Sequence, residues 1–403
     1  MAAPGRFRRL RKLIPMALNA LLFPVSVASR RRGNEWVFGH KGEVFAGNPK
    51  YLFLWMAIHR PDIRVTWLTA NRRTQRMLAE NGYRALRRWS PRGVVAALRA
   101  GVFAFSHGAT DANGPLSRGA VSLNLWHGVG IKALQVAPRQ ASPLARRLWR
   151  LVDLPHDLVV SSSDRIEEYF TGQFRIPRER CPQLGYPRLD AAADPALDAA
   201  ARAMDDRAGF AFNGQGFAEV YLYAPTFRDT GRPFLSAAFP DLDRLSEALS
   251  ARGALLYVKL HPQTLEDLPR QCANIRHWPD EIDFHTYLGQ FTGLITDYSS
   301  IIYDYLFLRR SGVILYTFDY ETYTSQDRGF VYPYEDNVAG LRAGTFDALC
   351  KALERGAAFD PALVPQAERI RDRFWSGSAS PASPAVVAHV ERLLRAGRGR
   401  GKG

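Results

Sequence analysis

GLITDYSSIIYDY, residues 293–305, decides how the chain folds. A small or apolar run too short for a helix meets the polar cluster Asp297, Tyr298, Ser299 and Ser300. An apolar, aromatic pattern of helical spacing then continues to residue 309. Buried strand, polar turn and helix form the repeating unit of a parallel sheet, because parallel neighbours need a long crossover that is usually helical. The same transition recurs elsewhere. VSLNLW at 121–126 runs into HGVGIK at 127–132, YLYA at 221–224 into PTFRD at 225–229, and LLYVKL at 255–260 into His261 and Pro262.

Further β-branched or aromatic runs lie at 35–39, 63–69, 102–106, 158–162 and 312–316, with helical patterns between them. The strand-like runs form two series, separated by residues 190–216, which are rich in Ala, Asp and Gly and lack strand character. The expectation is an α/β protein of two doubly wound parallel-sheet domains facing a central cleft, with ligands at the carboxyl ends of the strands. The division expected is 1–32 as a separate segment, 33–190 as the first domain, 191–216 as linker and 217–380 as the second domain. Residues 381–403 hold a last helical pattern that crosses back to the first domain, and a basic tail.

Residue type suggests roles at the strand ends. Ser299 and Ser300 open a helix, so their hydroxyls and backbone N–H groups suit an anion, or else serve as a simple cap. Arg228 and Lys259 suit a diphosphate, one as a planar fork and the other as a point charge. His261 is placed to hold a phosphate oxygen or protonate a leaving group. His127, beside Gly128 and Gly130 that let a substrate approach the backbone, is the candidate base for an acceptor hydroxyl. Asn48 reads as a helix cap with Pro49 at the first helical position, and Arg188 in a Gly-Pro turn is placed to reach the cleft. His40, His59, His107, His156, His277, His285 and His389 read as structural.

With 403 residues, 46% of them hydrophobic, the chain can bury two cores. Its formal charge of +15 calls for an anionic partner. The aromatic-basic interleaving of a nucleic-acid module is missing, so nucleic acid is not expected. Lysine occurs only seven times, and Lys50, Lys132 and Lys259 fall within the motifs. Cys181, Cys272 and Cys350 are far apart and odd in number, which suits a reducing compartment and no metal site. Arg6, Arg8, Arg9, Arg11 and Lys12 precede an apolar stretch, 13–28, closed by Arg30, Arg31 and Arg32. A bilayer span needs about 20 apolar residues; this shorter run with Pro15 and Pro24 reads as an interfacial anchor on anionic lipid. The alternative is a first helix packed on the protein's own core.

Taken together, GNPKYL at 47–52, WHGVGIK at 126–132, GYPRLD at 185–190, YAPTFRD at 223–229, KLHP at 259–262, ITDYSSIIYDY at 295–305 and RGF at 328–330 resemble the CDP-glycerol glycerophosphotransferase family of teichoic-acid primases and polymerases and related capsule polymerases. The ordered set spans nearly all of the chain after the N-terminal segment. The resemblance implies a GT-B-like fold, with the first domain on the acceptor side. A CDP-glycerol or related CDP-alcohol donor is implied at Thr226, Arg228, Lys259, Asp297, Tyr298, Ser299 and Ser300, with His127 and His261 as the essential histidines. Asn48, Lys50, Gly128, Lys132, Arg188 and Arg328 are the acceptor-side or secondary positions. It also implies transfer of a polyol-phosphate to a polymer or lipid-linked acceptor at the cytoplasmic face of the bacterial inner membrane, with the protein attached peripherally. No cofactor is expected, and a divalent metal is left open. Where the family has Thr-Pro after WHG, this chain has Val129 and Gly130, pointing to a different acceptor. The long helical membrane-targeting domain of some polymerases is not seen, and the short N-terminal segment is expected to replace it. The alternatives are a glycosyltransferase using a nucleotide-sugar and a basic scaffold that binds anionic polymer.

Overall fold

The computed structural model describes residues 22–132, 157–261 and 272–400 apart from 23, 208, 328 and 379, together with 264, 266 and 268. Its first sheet contains β1 (Arg32–Phe38), β2 (Arg64–Thr69), β3 (Ala85–Arg87), β4 (Ala100–Phe105), β5 (Val121–Asn124) and β6 (Leu158–Val159) in the order β3-β2-β1-β4-β5-β6. The second contains β7 (Glu219–Tyr223), β8 (Ala254–Val258), β9 (Ile275–His277), β10 (Gly293–Thr296), β11 (Val313–Tyr316) and β12 (Leu341–Ala343) in the order β12-β11-β10-β7-β8-β9. Every pairing between these strands is parallel. The expectation of two parallel-sheet α/β domains is met. The edge strands β3, β9 and β12, three residues each, are too short to carry a hydrophobic period.

Strand direction divides the side chains between faces. Trp36 and Phe38 enter the core shared by the two halves, while Val37 points into a smaller cluster behind the first sheet. In the second sheet Val220 and Leu222 enter the shared core, while Tyr221 and Tyr223 point the other way. Burial on both faces makes these strands continuously apolar rather than alternating.

Each sheet reverses its winding once, between β1 and β4 and between β7 and β10. Ligands of doubly wound sheets bind where the winding reverses, outside the carboxyl ends. The chain leaving these strands carries Lys41 and His107 in one half and Thr226 and Ser300 in the other.

Of the helices, α1 (Gly47–His59), α2 (Asp164–Phe174), α3 (Ile301–Leu308), α4 (Val364–Trp375) and α5 (Ala382–Arg400) bear on the site. Helix α5 packs against α1 in the first half. Asp190 fixes its start, accepting the backbone N–H groups of Ala382 and Ser383, both at 2.7 Å. No described helix is long and apolar enough to cross a membrane.

Most of the proposed N-terminal anchor lies outside the described residues. The part that is described corrects one point. Arg31 does not face lipid: its guanidinium donates to the carbonyls of Ala97, Leu116 and Ser26 at 2.7–3.1 Å. Burial brings its pKa down to about 10, which still leaves it charged. It ties the segment to the first domain.

Candidate active site

The strand ends meet in a cavity of about 460 Å³. The first half contributes Lys41, His107, the loop from Trp126 to Lys132, and Tyr169. The second contributes Pro225 to Phe227, Asp229, His261, Ser299, Ser300 and Tyr323.

The loop after β5 is held by its own backbone demands. Asn124 Oδ1 accepts the Trp126 N–H at 2.9 Å, and Trp126 takes φ +53°. Gly128 follows at φ +148°, where a Cβ would come within 3.2 Å of Ser300 Oγ and Arg188 Nη2. Its missing side chain lets the two halves approach. At Gly130 a Cβ would lie 2.1 Å from the Tyr169 ring. That contact is a physical reason for glycine here: Tyr169 fills the space, and its hydroxyl donates to the Lys132 carbonyl at 2.7 Å.

His127 faces the cleft between two rings. His107 stacks on it with centroids 4.2 Å apart and planes 9° from parallel, and the Trp126 ring lies 4.2 Å away at 32°. Its Nδ1 lies 3.5 Å from the Ser106 carbonyl, a long contact that favours the proton on Nδ1 and a lone pair on Nε2. Depth in the protein lowers its pKa, as do the nearby charges of Arg188 and Lys41. The ring opens onto cleft solvent, which softens the desolvation without reversing it. His127 is therefore neutral near pH 7.

Beneath this loop runs a buried chain of charges that crosses between the halves. Arg188, 3% exposed, donates to the His127 carbonyl at 2.8 Å and pairs with Asp304 of α3 at 2.5 Å. Asp304 meets His285 Nε2 at 3.5 Å, and His285 Nδ1 lies 3.0 Å from Asp283. Asp283 accepts the Gly47 N–H at 3.3 Å and sits 3.6 Å from Lys50, which itself donates to Thr286 at 3.0 Å. Two expectations change here. Asn48 does not cap α1; its amide donates to the Leu125 and Trp126 carbonyls at 2.9 and 3.0 Å and accepts from the Arg188 N–H at 3.2 Å. Arg188 and Lys50 support the cleft from below instead of lining it.

The second half shows the same division. Arg228 is 1% exposed and lies between Asp297 and Asp319, each at 2.9 Å, with a further bond to the Thr226 carbonyl. A guanidinium so engaged braces the loop and is not presented to a diphosphate. Asp297 accepts the Thr226 and Tyr298 N–H groups, and the Tyr298 hydroxyl donates to Asp319 at 3.1 Å. These residues hold the strand-end turn. Lys259 is 9% exposed and bonds the Leu260 carbonyl and Asp280, so it too reaches the cleft only through its field.

Ser299, Ser300 and His261 do face the cavity, as does Thr226, whose hydroxyl accepts from Lys132 Nζ at 3.1 Å. The His261 pKa is lowered by burial and by Lys259, Lys41 and Lys132, so the positive field of three lysines converges on this histidine. Arg328 and His156 lie outside the described residues. Among the described residues no group of His, Cys, Asp and Glu has the arrangement of a metal site.

Reading the sequence missed His107, Lys41, Tyr169 and Tyr323 at the cleft, and Asp283, His285, Asp304 and Asp319 beneath it. His107 had a signal: it follows β4 directly and precedes Gly108, the same strand-end setting that marks His127. His285 had little: Asp283 lies two residues before it, but its second carboxylate, Asp304, comes from α3.

The family described as CDP-Glycerol:Poly(glycerophosphate) glycerophosphotransferase matches residues 21–392. The chain belongs to this family. Among its curated relatives, a teichoic acid poly(glycerol phosphate) polymerase of Staphylococcus epidermidis is 24% identical over 372 residues, covering 88% of this chain and 50% of that protein. The teichoic acid ribitol-phosphate polymerase TarL of Staphylococcus aureus is 29% identical over 240 residues, covering 58% of this chain and 41% of that one. The chain thus spans about half the length of these relatives or less. Among solved structures, a histidine-to-alanine variant of the wall teichoic acid polymerase TagF superposes with TM-score 0.75 at 20% identity, over 96% of both chains. A TagF variant soaked with CDPG gives 0.71 at 20% identity over the same shares. These structures share the two-domain fold.

Proposed function

We propose that this chain transfers a polyol-phosphate group from a CDP-linked donor to a hydroxyl of a growing polymer, releasing CMP. The observation that carries the reading is that His127 and His261 come from opposite halves and face one cavity beside the Ser299–Ser300 helix start. Membership of the family and the TagF variant soaked with CDPG support the donor class.

In this reading the acceptor oxygen attacks the β-phosphorus of the donor. The bond from that phosphorus to the bridging oxygen breaks, and the oxygen leaves with CMP. The acceptor proton passes to Nε2 of His127. Catalysis then consists of positioning, charge neutralisation and one proton removal. Lys132, the Ser299 and Ser300 hydroxyls and the start of α3 receive the diphosphate. Lys41 and Lys259 add positive field. The lysines that lower the pKa of His261 are offset once a diphosphate arrives, so donor binding raises it and prepares His261 to donate to the departing CMP.

The test is CMP release from CDP-glycerol and CDP-ribitol with polymer and lipid-linked acceptors. Release with at least one pair is expected, and Ser299→Ala with Ser300→Ala should weaken CDP-glycerol binding far more than cytidine binding. Thermal stabilisation by a UDP-sugar but by no CDP-alcohol would turn the assignment to sugar transfer.

Peripheral attachment to an anionic membrane is part of the proposal. Residues 24–28 form a helical turn whose Ser26 is buried and donates to the Arg118 carbonyl at 3.2 Å. Val25 and Val27 stand 50% and 55% exposed on its other side. A polar face fastened to the domain and an apolar face left to solvent suit shallow insertion between headgroups. Val25→Glu with Val27→Glu is expected to reduce flotation with phosphatidylglycerol vesicles while leaving turnover of a soluble acceptor unchanged. Unaltered flotation would place the contact elsewhere.

A further inference from the structure

A second, larger cavity lies apart from the reaction cleft, at the junction of α2 and α4. It measures about 710 Å³ and is lined by Arg165 of the first half and by Pro333, Glu335, Asp336, Asn337, Arg369 and Arg373, among others, of the second. Its charge is mostly positive. Among the described residues no carboxylate pairs with Arg165 or Arg369. Arg165 instead lies over the Tyr332 ring at 3.8 Å, and its buried Nε has no hydrogen-bond partner. Arg373 donates to the Asp336 carbonyl and to Asn337. Two acids also line it; one of them, Glu335, is neutralised by Arg342, and the other, Asp336, is exposed. Unpaired arginines in a concavity of this size suit phosphate groups, which the guanidinium fork holds by paired hydrogen bonds.

Two elements lead from this cavity to the cleft. Arg165 and Tyr169 are four residues apart on α2, hence neighbours on one face of the helix; Tyr169 lines the cleft and Arg165 the second cavity. The other element starts at Phe330, which bridges to Lys132 in the cleft loop, and Val331 donates to the Ile131 carbonyl at 2.8 Å. It continues through Tyr332, whose hydroxyl donates to the Arg165 carbonyl at 3.0 Å, and reaches the cavity at Pro333.

We propose that this cavity binds phosphodiester groups of the acceptor polymer some distance from its reacting end, so that the chain runs from the cleft along α2 and the 330–337 segment. The inference rests on the polyol-phosphate reading, because only that product carries a phosphate at every repeat. A single guest phosphate would not need a second site. A polymer engaged at both places gains effective concentration at its reacting end without any new contact in the cleft.

The experiment compares the parent with Arg165→Gln/Arg369→Gln and with Arg369→Gln alone. Acceptors are glycerol 3-phosphate and a synthetic glycerol-phosphate oligomer of roughly ten repeats, several times what the cleft alone holds. The double variant is expected to raise KM for the oligomer about tenfold or more, the loss expected for one to two charge-assisted hydrogen bonds. Its kinetics with the short acceptor should stay unchanged, and the salt dependence of oligomer KM should flatten. Equal losses on both acceptors would mean that the arginines only hold the fold, and no change on either would leave the cavity without this role; both overturn the proposal. Arg369 is exposed, so its single variant reports even if loss of Arg165 disturbs folding. Fluorescence anisotropy of a labelled oligomer tests the groove without turnover. If the parent releases no CMP with any acceptor yet binds the oligomer through these arginines, the reaction reading fails and the groove stands. Loss of binding to phosphatidylglycerol vesicles with unchanged oligomer binding would assign the arginines to lipid and overturn the proposal.

Discussion

Replacing His127 with alanine is expected to lower turnover by about 100- to 10,000-fold, the usual range for loss of a general base, while CDP-glycerol still binds. The split follows from the geometry. His127 belongs to the first half, whereas Ser299, Ser300 and His261 line the second. The pH profile sharpens the test. Burial, Arg188 and Lys41 hold the His127 pKa below the ordinary histidine value of about 6.5. The neutral, proton-accepting form therefore persists to lower pH, and the acid limb of kcat/KM for the parent should fall below that value. The alanine variant should lose this limb along with its rate. His107 contributes by its position: its ring covers one face of His127 and its Nδ1 lies 2.9 Å from the Ser106 hydroxyl, which limits how His127 can turn. Turnover within tenfold of the parent would remove His127 from the mechanism.

The contrast between cleft and underpinning shows what a sequence can reveal. His127, His261, Ser299 and Ser300 were legible because each follows a short apolar strand, and a strand end in a doubly wound sheet opens on the ligand cleft. Motif position does not reveal where a side chain goes after the turn. Arg228 and Lys259 sit in the same clusters as the cleft residues, yet their charges are met by Asp319 and Asp280. Those partners lie 91 and 21 residues further along, and nothing local announces them. Lys50 finds Thr286 across 236 residues. A buried charge must be paired, so the cationic residues of the motifs could be suspected of partners, but the identity of each partner is set by the docking of one half on the other. The short edge strands escaped for another reason: three residues carry no period.

Breaking the Arg188–Asp304 pair should have the largest effect on the fold. Both side chains are at most 2% exposed, so removing one leaves an uncompensated charge in a medium that solvates it poorly. The expected cost of Asp304→Asn or Arg188→Met is about 3–5 kcal/mol, read as a drop in the denaturant midpoint. Replacing both, as in Arg188→Met with Asp304→Leu, should recover much of that loss, since the desolvation of two ions is then avoided. Catalysis should not recover. Arg188 also holds the His127 carbonyl, and its loss frees the loop that places the base, so kcat should remain low in the double variant while the donor still binds. The network also fixes a pH window. Burial opposes ionisation of Asp304 and Asp283, but Arg188 and Lys50 respectively, with His285, hold both carboxyls below their usual range. Their contribution is complete above the ordinary carboxylate pKa and disappears as pH falls through the lowered values. His285 is lowered by burial and by Arg188, yet the two carboxylates outweigh these and raise it. Its contribution is complete below about 6.5 and is lost as pH rises through the raised value. Stability from the network is thus greatest between the two limits, and Asp304→Asn should flatten the dependence on both sides. A variant that keeps the parent's midpoint and pH dependence would show that the two halves are held together by their shared apolar core alone.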